Sequence, residues 1–571
     1  MRKMFKVLAS VMVMVVVLTS CSPLSKMQKE AANVRYKVIP EVLEVHGGKV
    51  DLKIEVNFPA KYFNKAVIVE ATPVLKYEGG EKAFASLTLQ GEEVQENNTV
   101  VPFESGKTVV YEGSVSYEEA MRISQLDMVL KVSKGEKSVD CPAVKIADGV
   151  ISTAMMVQNT PSIALGVDNF QRIIRETKEA DIHYTINSSK VRWKEMRSED
   201  VKTLAEFIKA AKLNERQELK GLEVKAYASP DGAEDFNQKL ATKRDITSKK
   251  YIKKRLRKIE EFKSEEFFKS LVTAEDWDGF KKLMEESNIQ DKELILRVLS
   301  MYNDPEVRER EIKNISAAFS SIAKEILPKL RRSQLIINVD NIGFSDEELV
   351  DLVKNNPAKL NNDELLYSAT LFGSASDKLY VYETTMKQFA QDWRGFNDAG
   401  MIKFNLGNID EANALFNKAN ELSANNAVVK NNLGAVALYK GDVAGAEVLF
   451  GAAAGAGEEV NFNNGIVSIK KGKYADAVKY FANCNCANSA LASILAGNNS
   501  AALKKLNASN SDAAVVSYLK AVVGARTNNE QLLITSLKAA VAKDAKMKEM
   551  AKTDLEFAKY FVNAEFMTIV K

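Results

Sequence analysis

The chain is poor in the residues that metal and disulfide chemistry require. Its 571 residues hold two histidines, His46 and His183, and four cysteines, Cys21, Cys141, Cys484 and Cys486. Two histidines exclude a multi-histidine metal site and an HExxH helix, so no metal ligand set is expected. Four scattered cysteines exclude a disulfide scaffold and a doubled CxxC zinc site. Cys484 and Cys486 stand too close for an ordinary structural bridge. Only 11 prolines and 28 glycines rule out a collagen-like or low-complexity chain. The apolar run from Val7 to Leu18 is shorter than the roughly 20 residues that span a bilayer. A formal charge of +3 gives no case for nucleic acid as a partner. There is no Gly-rich phosphate loop ending in Lys-Ser/Thr and no G-x-S-x-G elbow, and neither histidine lies near a nucleophile motif. The chain therefore reads as not an enzyme, with no cofactor.

What is present is ordinary globular composition, 46% hydrophobic and 27% charged, and length for three to four domains at about 150 residues each. Arg2, Lys3 and Lys6 precede the apolar run, the layout of a secretory signal peptide over residues 1–20. Leu18-Thr19-Ser20-Cys21 resembles a bacterial lipobox. The resemblance implies that Cys21 becomes the new N-terminus and carries acyl chains such as palmitate, each buried methylene contributing about 0.8 kcal/mol of membrane affinity. Loss of the three leader cations takes the formal charge from +3 to 0. Residues 21–32 then form a lipidated linker. Ser22 replaces the aspartate of inner-membrane retention, and Ser-Pro-Leu-Ser-Lys-Met-Gln-Lys lacks the acidic cluster of surface-exposed lipoproteins of the Bacteroidetes lineage. The implied location is the outer membrane, lipid-anchored and facing the periplasm.

Three regions follow. Residues 33–150 read as an all-β sandwich. Val50 to Phe58 alternates apolar and polar, Tyr111, Gly113, Val115 and Tyr117 repeat the pattern, and glycine and asparagine pairs punctuate the runs. Residues 165–345 mix strands with long helices: strands around Ile182–Ile186, Leu222–Ala226 and Gln334–Val339, a helix capped by Ser198 that runs to about Leu213, and one from about Glu234 to Lys258. Within them, Tyr227-Ala228-Ser229-Pro230-Asp231-Gly232, then Asn237, Leu240 and Arg244, resemble the OmpA-like peptidoglycan-associating domain, a βαβαβ fold. The resemblance implies that Arg244 clamps a wall-peptide carboxylate, with Asn237 on the same helix face, and Ser229, Asp231 and Gly232 in the binding loop. Ser229 stands where the family has the aspartate that pairs with that arginine, which weakens the wall-binding expectation. A helical insert is expected over about 259–333, with a capping box at Thr273-Ala274-Glu275-Asp276, a helix restarting at Asp304-Pro305-Glu306, and Trp277 and Phe280 as core anchors. The stretch Lys249, Lys250, Lys253, Lys254, Arg255, Arg257 and Lys258 reads either as a solvated helix face balanced by downstream glutamates or as a surface attractive to anionic wall or lipid groups.

Residues 346–571 are helical and repetitive. Gly400, Gly434 and Gly465 are spaced by 34 and 31 residues. Gly407, Gly441 and Gly472, Ala412, Ala446 and Ala477, and Phe416, Phe450 and Phe481 keep the same register. This resembles the tetratricopeptide repeat, an α-solenoid of helical hairpins that binds protein segments in a concave groove. Asn431, Asn432, Asn463 and Asn464 are the candidates for holding a ligand backbone there. The whole reads as a non-enzymatic lipoprotein that tethers to peptidoglycan and scaffolds a protein complex through its repeats. The alternative is an interaction scaffold for secretion, pilus or outer-membrane assembly whose OmpA-like module no longer binds the wall.

Overall fold

A computed structural model describes residues 23–571; the signal-like segment and Cys21 lie outside the described residues. The described chain forms two compact units. One comprises everything up to Val167 together with Met386–Lys571, the other Asp168–Thr385.

In the first unit the period-2 pattern has its expected consequence. Along the strand Lys49–Phe58, Val50, Leu52, Ile54, Val56 and Phe58 are buried while their neighbours turn toward solvent. This strand pairs antiparallel with Arg35–Ile39 and Lys107–Ser116 in a five-stranded sheet. A seven-stranded sheet is built around the antiparallel pair Ile68–Tyr77 and Ser124–Lys134. The apolar faces of both sheets share one core, which also takes in the free, buried Cys141. After Met156 the chain becomes irregular and extended through residue 167.

The same unit then contains ten helices, from Trp393–Asn405 to Glu530–Lys543, packed as consecutive hairpins. The repeated glycines have two distinct jobs. Gly407, Gly441 and Gly472 end the first helix of each hairpin at φ of 82°, 89° and 73°, where a side chain is disfavoured. Gly400, Gly434 and Gly465 instead lie under phenylalanine rings. A Cβ there would come within 2.7, 2.7 and 2.4 Å of Phe416, Phe450 and Phe481 respectively. The absent side chain is what lets each helix pair close on its aromatic.

The second unit is a four-stranded sheet in the order Ile173–His183, Arg332–Ile342, Gln217–Tyr227, Phe268–Thr273. The first three are antiparallel and the last pair is parallel. Helices Glu199–Leu213 and Glu234–Arg255 bury Leu204, Ile208 and Ile252 in the sheet's core. The segment expected to be all helical, about 259–333, contains the strand Phe268–Thr273. Apart from the one-turn helix Glu260–Lys263, the helices start only after it, and those from Trp277 to Leu330 build a small core of their own around Phe280, Met284 and Ile322. Thr273 ends that strand rather than capping a helix. The cap is Asp276, which accepts from the Gly279 amide. Ser198 precedes its helix but its hydroxyl donates back to the Glu195 carbonyl instead of capping. Helices between Asp346 and Thr385, expected to begin the solenoid, belong to this unit. Arg172 and Arg216 pair with Asp346 and Glu348, and Phe170 stacks on Tyr367 at 4.2 Å.

Candidate functional site

The groove of the helical repeats is lined by one recurring position. Asp398, Asn432, Asn463 and Asn488 each lie two residues ahead of the small residue under the ring (Gly400, Gly434, Gly465) or its counterpart Ala490. All four are buried, at 2, 0, 0 and 2% exposure. A buried primary amide must find partners for both its oxygen and its nitrogen. These find them in the chain's own extended segment. Asn432 accepts from the Ala164 amide at 2.8 Å and donates to the Ala164 carbonyl at 2.7 Å. Asn463 does the same to Ser162 at 2.7 and 2.7 Å, and Asn488 to Gln158 at 2.7 and 2.9 Å. Asp398 accepts from the Gly166 amide at 2.8 Å. The gripped residues are 158, 162, 164 and 166, the period of an extended strand, running opposite to the order of the repeats. Each amide presents the donor–acceptor pair that a neighbouring β-strand would present, so the hydrogen bonds read backbone. Buried Ala164, and Gly166, where a Cβ would lie 3.0 Å from Arg394, leave room only for small side chains.

A second row supports the first. Asn397 and Asn431, three residues ahead of their glycines, donate to the Ala164 and Ser162 carbonyls at 3.1 and 3.2 Å. Their oxygens accept from Asn432 and Asn463 at 2.8 and 3.0 Å, which fixes the amide orientations along the groove. In the third hairpin this position is Phe462, and the row ends. Arg394 donates to the Val167 carbonyl at 3.0 Å. Of the four asparagines singled out in the sequence, Asn431, Asn432 and Asn463 come together here. Asn464 is half-buried and outside the ladder. Asn397, Asp398 and Asn488 were missed, although the glycine register marks the first two. Asp398 differs chemically from its amide counterparts: burial pushes its carboxyl up to about 7.

The loop of the second unit is a separate matter. Arg244 is buried, and its guanidinium stacks 5.0 Å from the Tyr184 ring. It donates to the backbone carbonyls of Ser188, Tyr227 and Thr185 at 3.1, 2.8 and 3.4 Å. Burial pulls it down to about 10. Asn237, also buried, donates to the Ser229 and Gly232 carbonyls at 3.2 and 2.9 Å and so ties the loop to the helix. Ser229 donates to Asp231 at 2.6 Å, and Asp231 pairs with Arg331 at 2.9 Å. The acid displaced by two residues thus faces a different arginine, one the sequence reading did not single out, just ahead of the last strand. Ser229, Asp231, Gly232 and Asn237 gather in one loop, and Arg244 lies behind it with its nitrogens on carbonyl oxygens.

Cys484 and Cys486 are joined as a disulfide, contrary to the expectation from their spacing. Among the described residues no group of three or more His, Cys, Asp or Glu is arranged to hold a metal ion, and no helix is long and apolar enough to cross a membrane.

Neither a scan of protein-family models nor a search of curated proteins finds a match. Among solved structures the chain is similar to the APC/C hetero-tetramer Cut9-Hcn1, at 16% identity over 39% of this chain, with a TM-score of 0.32. It spans 45% of the length of that relative. It is also similar to a tetratricopeptide repeat protein from Parabacteroides merdae, at 15% identity over 37% of this chain and 91% of that one, TM-score 0.29. A third is PilW, a type IV pilus biogenesis factor, at 16% identity over 40% of this chain and 98% of that one, TM-score 0.26. At such scores the likenesses carry no further weight. The repeat stands on the glycine–phenylalanine contacts of the chain itself.

Proposed function

We propose that the chain is a non-enzymatic scaffold, anchored by acyl chains on Cys21 to the periplasmic face of the outer membrane, whose tetratricopeptide-type repeats organise protein partners. The glycine–phenylalanine register of helical hairpins carries this reading; the asparagine ladder in their groove is machinery for holding polypeptide backbone. Its occupant is residues 157–167, so the groove fastens the sheets to the repeats, and partners dock on the outer faces of the helices, where Val448 is 75% exposed. A photo-crosslinking residue at Val448 should trap other proteins in cells, while one at Ile163 should crosslink into this chain's own repeats. Partner crosslinks from Ile163 would mean that partners displace the segment. The anchor is tested separately: labelling with an alkynyl fatty acid should mark the chain and be lost in Cys21→Ser.

Wall tethering is the second reading, favoured by the loop and helix pattern through Gly232, Asn237, Leu240 and Arg244 that resembles the OmpA-like domain. A wall carboxylate reaches the Arg244 guanidinium only by displacing carbonyls among those of Tyr227, Ser188 and Thr185. The form we propose is therefore a module that no longer grips the wall through this arginine. Any co-sedimentation of unlipidated residues 22–571 with isolated sacculi should survive Arg244→Lys; its loss in a folded Arg244→Lys variant would restore the tether.

A further inference from the structure

The basic stretch of helix Glu234–Arg255 divides into two populations. Lys249 pairs with Asp245 at 3.1 Å, and Lys253 with Glu265, both toward the neighbouring strand and loop. Lys250 and Lys254, one residue on in each case and one turn apart, have no carboxylate partner among the described residues and are exposed. They line a cleft of about 640 Å³ together with Arg255, Lys190, Arg197 and Trp193. The cleft walls are braced: Tyr251 donates to the Met196 carbonyl at 2.9 Å and Arg255 to the same oxygen at 3.2 Å. Among the described residues no acid lines the cleft, and Glu195, next to the lining residue Met196, is buried and already holds Arg192 at 2.6 Å. Trp193 is 65% exposed, and Arg197 covers one face of its ring at 3.6 Å, which leaves the other face open.

Five cations with no carboxylate partner among the described residues repel one another, and an anion relieves that repulsion. An exposed indole braced on one side by a guanidinium is a platform for a flat or ring-shaped apolar face. We propose that this cleft binds an anionic saccharide, with a sugar ring against Trp193 and its charged substituents against Lys250, Lys254, Arg255, Lys190 and Arg197. Lys250, Lys254 and Arg255 lie about two to three turns beyond Arg244 on the same helix, and none of the proposed ligand contacts involves the Arg244 guanidinium.

The test uses residues 22–571, titrated by calorimetry at about 0.1 M ionic strength, where charges more than about 10 Å apart are screened. The probes are a heparin-derived tetrasaccharide, neutral chitotetraose, and linear polyphosphate. The anionic saccharide should bind saturably and more tightly than either control. Lys250→Gln with Lys254→Gln should weaken it about tenfold, the loss of two charge-assisted contacts. Lys249→Gln with Lys253→Gln removes the same charge from the same helix and should leave binding unchanged. Trp193→Ala should abolish the preference over polyphosphate. Absence of binding, equal loss in both lysine pairs, or polyphosphate binding as tightly as the saccharide would each overturn the proposal. Because Lys250, Lys254 and Trp193 are exposed, circular dichroism should show their variants folded, and the Lys249→Gln with Lys253→Gln control counts only when its spectrum matches the wild type.

Discussion

Asp398→Asn isolates the one acid in a row of amides. In the folded chain burial raises the Asp398 carboxyl to about 7; unfolded, it titrates near about 3.9. Between those values the folded chain holds a proton that the unfolded chain has released, so stability falls as pH rises through this window and is flat above it. At about 1.4 kcal/mol per pH unit over about three units, the wild type loses up to about 4 kcal/mol of this contribution between about pH 4 and 7. The other nearby charges are Arg394, which favours the ionised form, and Asp392, which opposes it; both are outweighed by burial. Asparagine at 398 keeps an oxygen for the Gly166 amide, as at the three equivalent positions, and does not titrate. The measurement is urea unfolding of the first unit against pH, followed through Trp393 in a background of Trp193→Phe and Trp277→Phe. All other carboxylates titrate alike in both proteins, so the difference in unfolding free energy should favour the asparagine variant progressively from about pH 4 and level off near pH 7. A difference that is flat with pH, or a wild type that gains on the variant as pH rises, would refute the reasoning.

Gly434→Ala should cost about 1–3 kcal/mol in urea unfolding of the first unit, because the new Cβ would lie 2.7 Å from the Phe450 ring. Shortening the ring in a double variant with Phe450→Leu should recover part of the loss. Arg244→Ala should destabilise the second unit by about 3–5 kcal/mol, since several buried carbonyls lose a charged donor at once. Urea unfolding followed through Trp277 checks this, and a neutral effect would show that the guanidinium is free for a ligand. Glu556→Gln should cost about 1–3 kcal/mol in the first unit, because Arg526, half-buried and bound to Glu556 at 2.5 Å, is left with a weaker, uncharged acceptor. A shift of under about 0.5 kcal/mol, the range of surface changes, would contradict it.

What the sequence reveals here follows what is periodic. The alternation from Val50 to Phe58 marks a half-buried strand because a pleated strand can bury one face only. The 34- and 31-residue register of glycine, alanine and phenylalanine marks helical hairpins because each contact recurs once per hairpin. Non-periodic features stay hidden. Phe268–Thr273 is a short edge strand in which Lys269, Ser270 and Leu271 in succession are exposed, so it carries no alternation to read. Residues 157–167 form no element and resemble a linker; their role is set by amides more than two hundred positions away. The asparagines could be recognised as backbone-binding groups, but not what they bind. Arg244 stands at the expected position on its helix, but its partners are the Tyr227 carbonyl and those of Thr185 and Ser188, in a stretch read as strand through Ile186 that leaves the sheet after His183.

The central claim is that buried asparagines hold residues 157–167 in the groove by every gripped backbone unit. Hydrogen exchange of the amides in this segment tests it most directly. The amides of Gln158, Ser162, Ala164 and Gly166 should be protected, and Asn463→Ala should leave the Ser162 amide without an acceptor. That costs about 1–3 kcal/mol, so Ser162 should exchange roughly 5- to 150-fold faster while Gly166 changes little. Equal, fast exchange at gripped and intervening positions in both proteins would contradict the account.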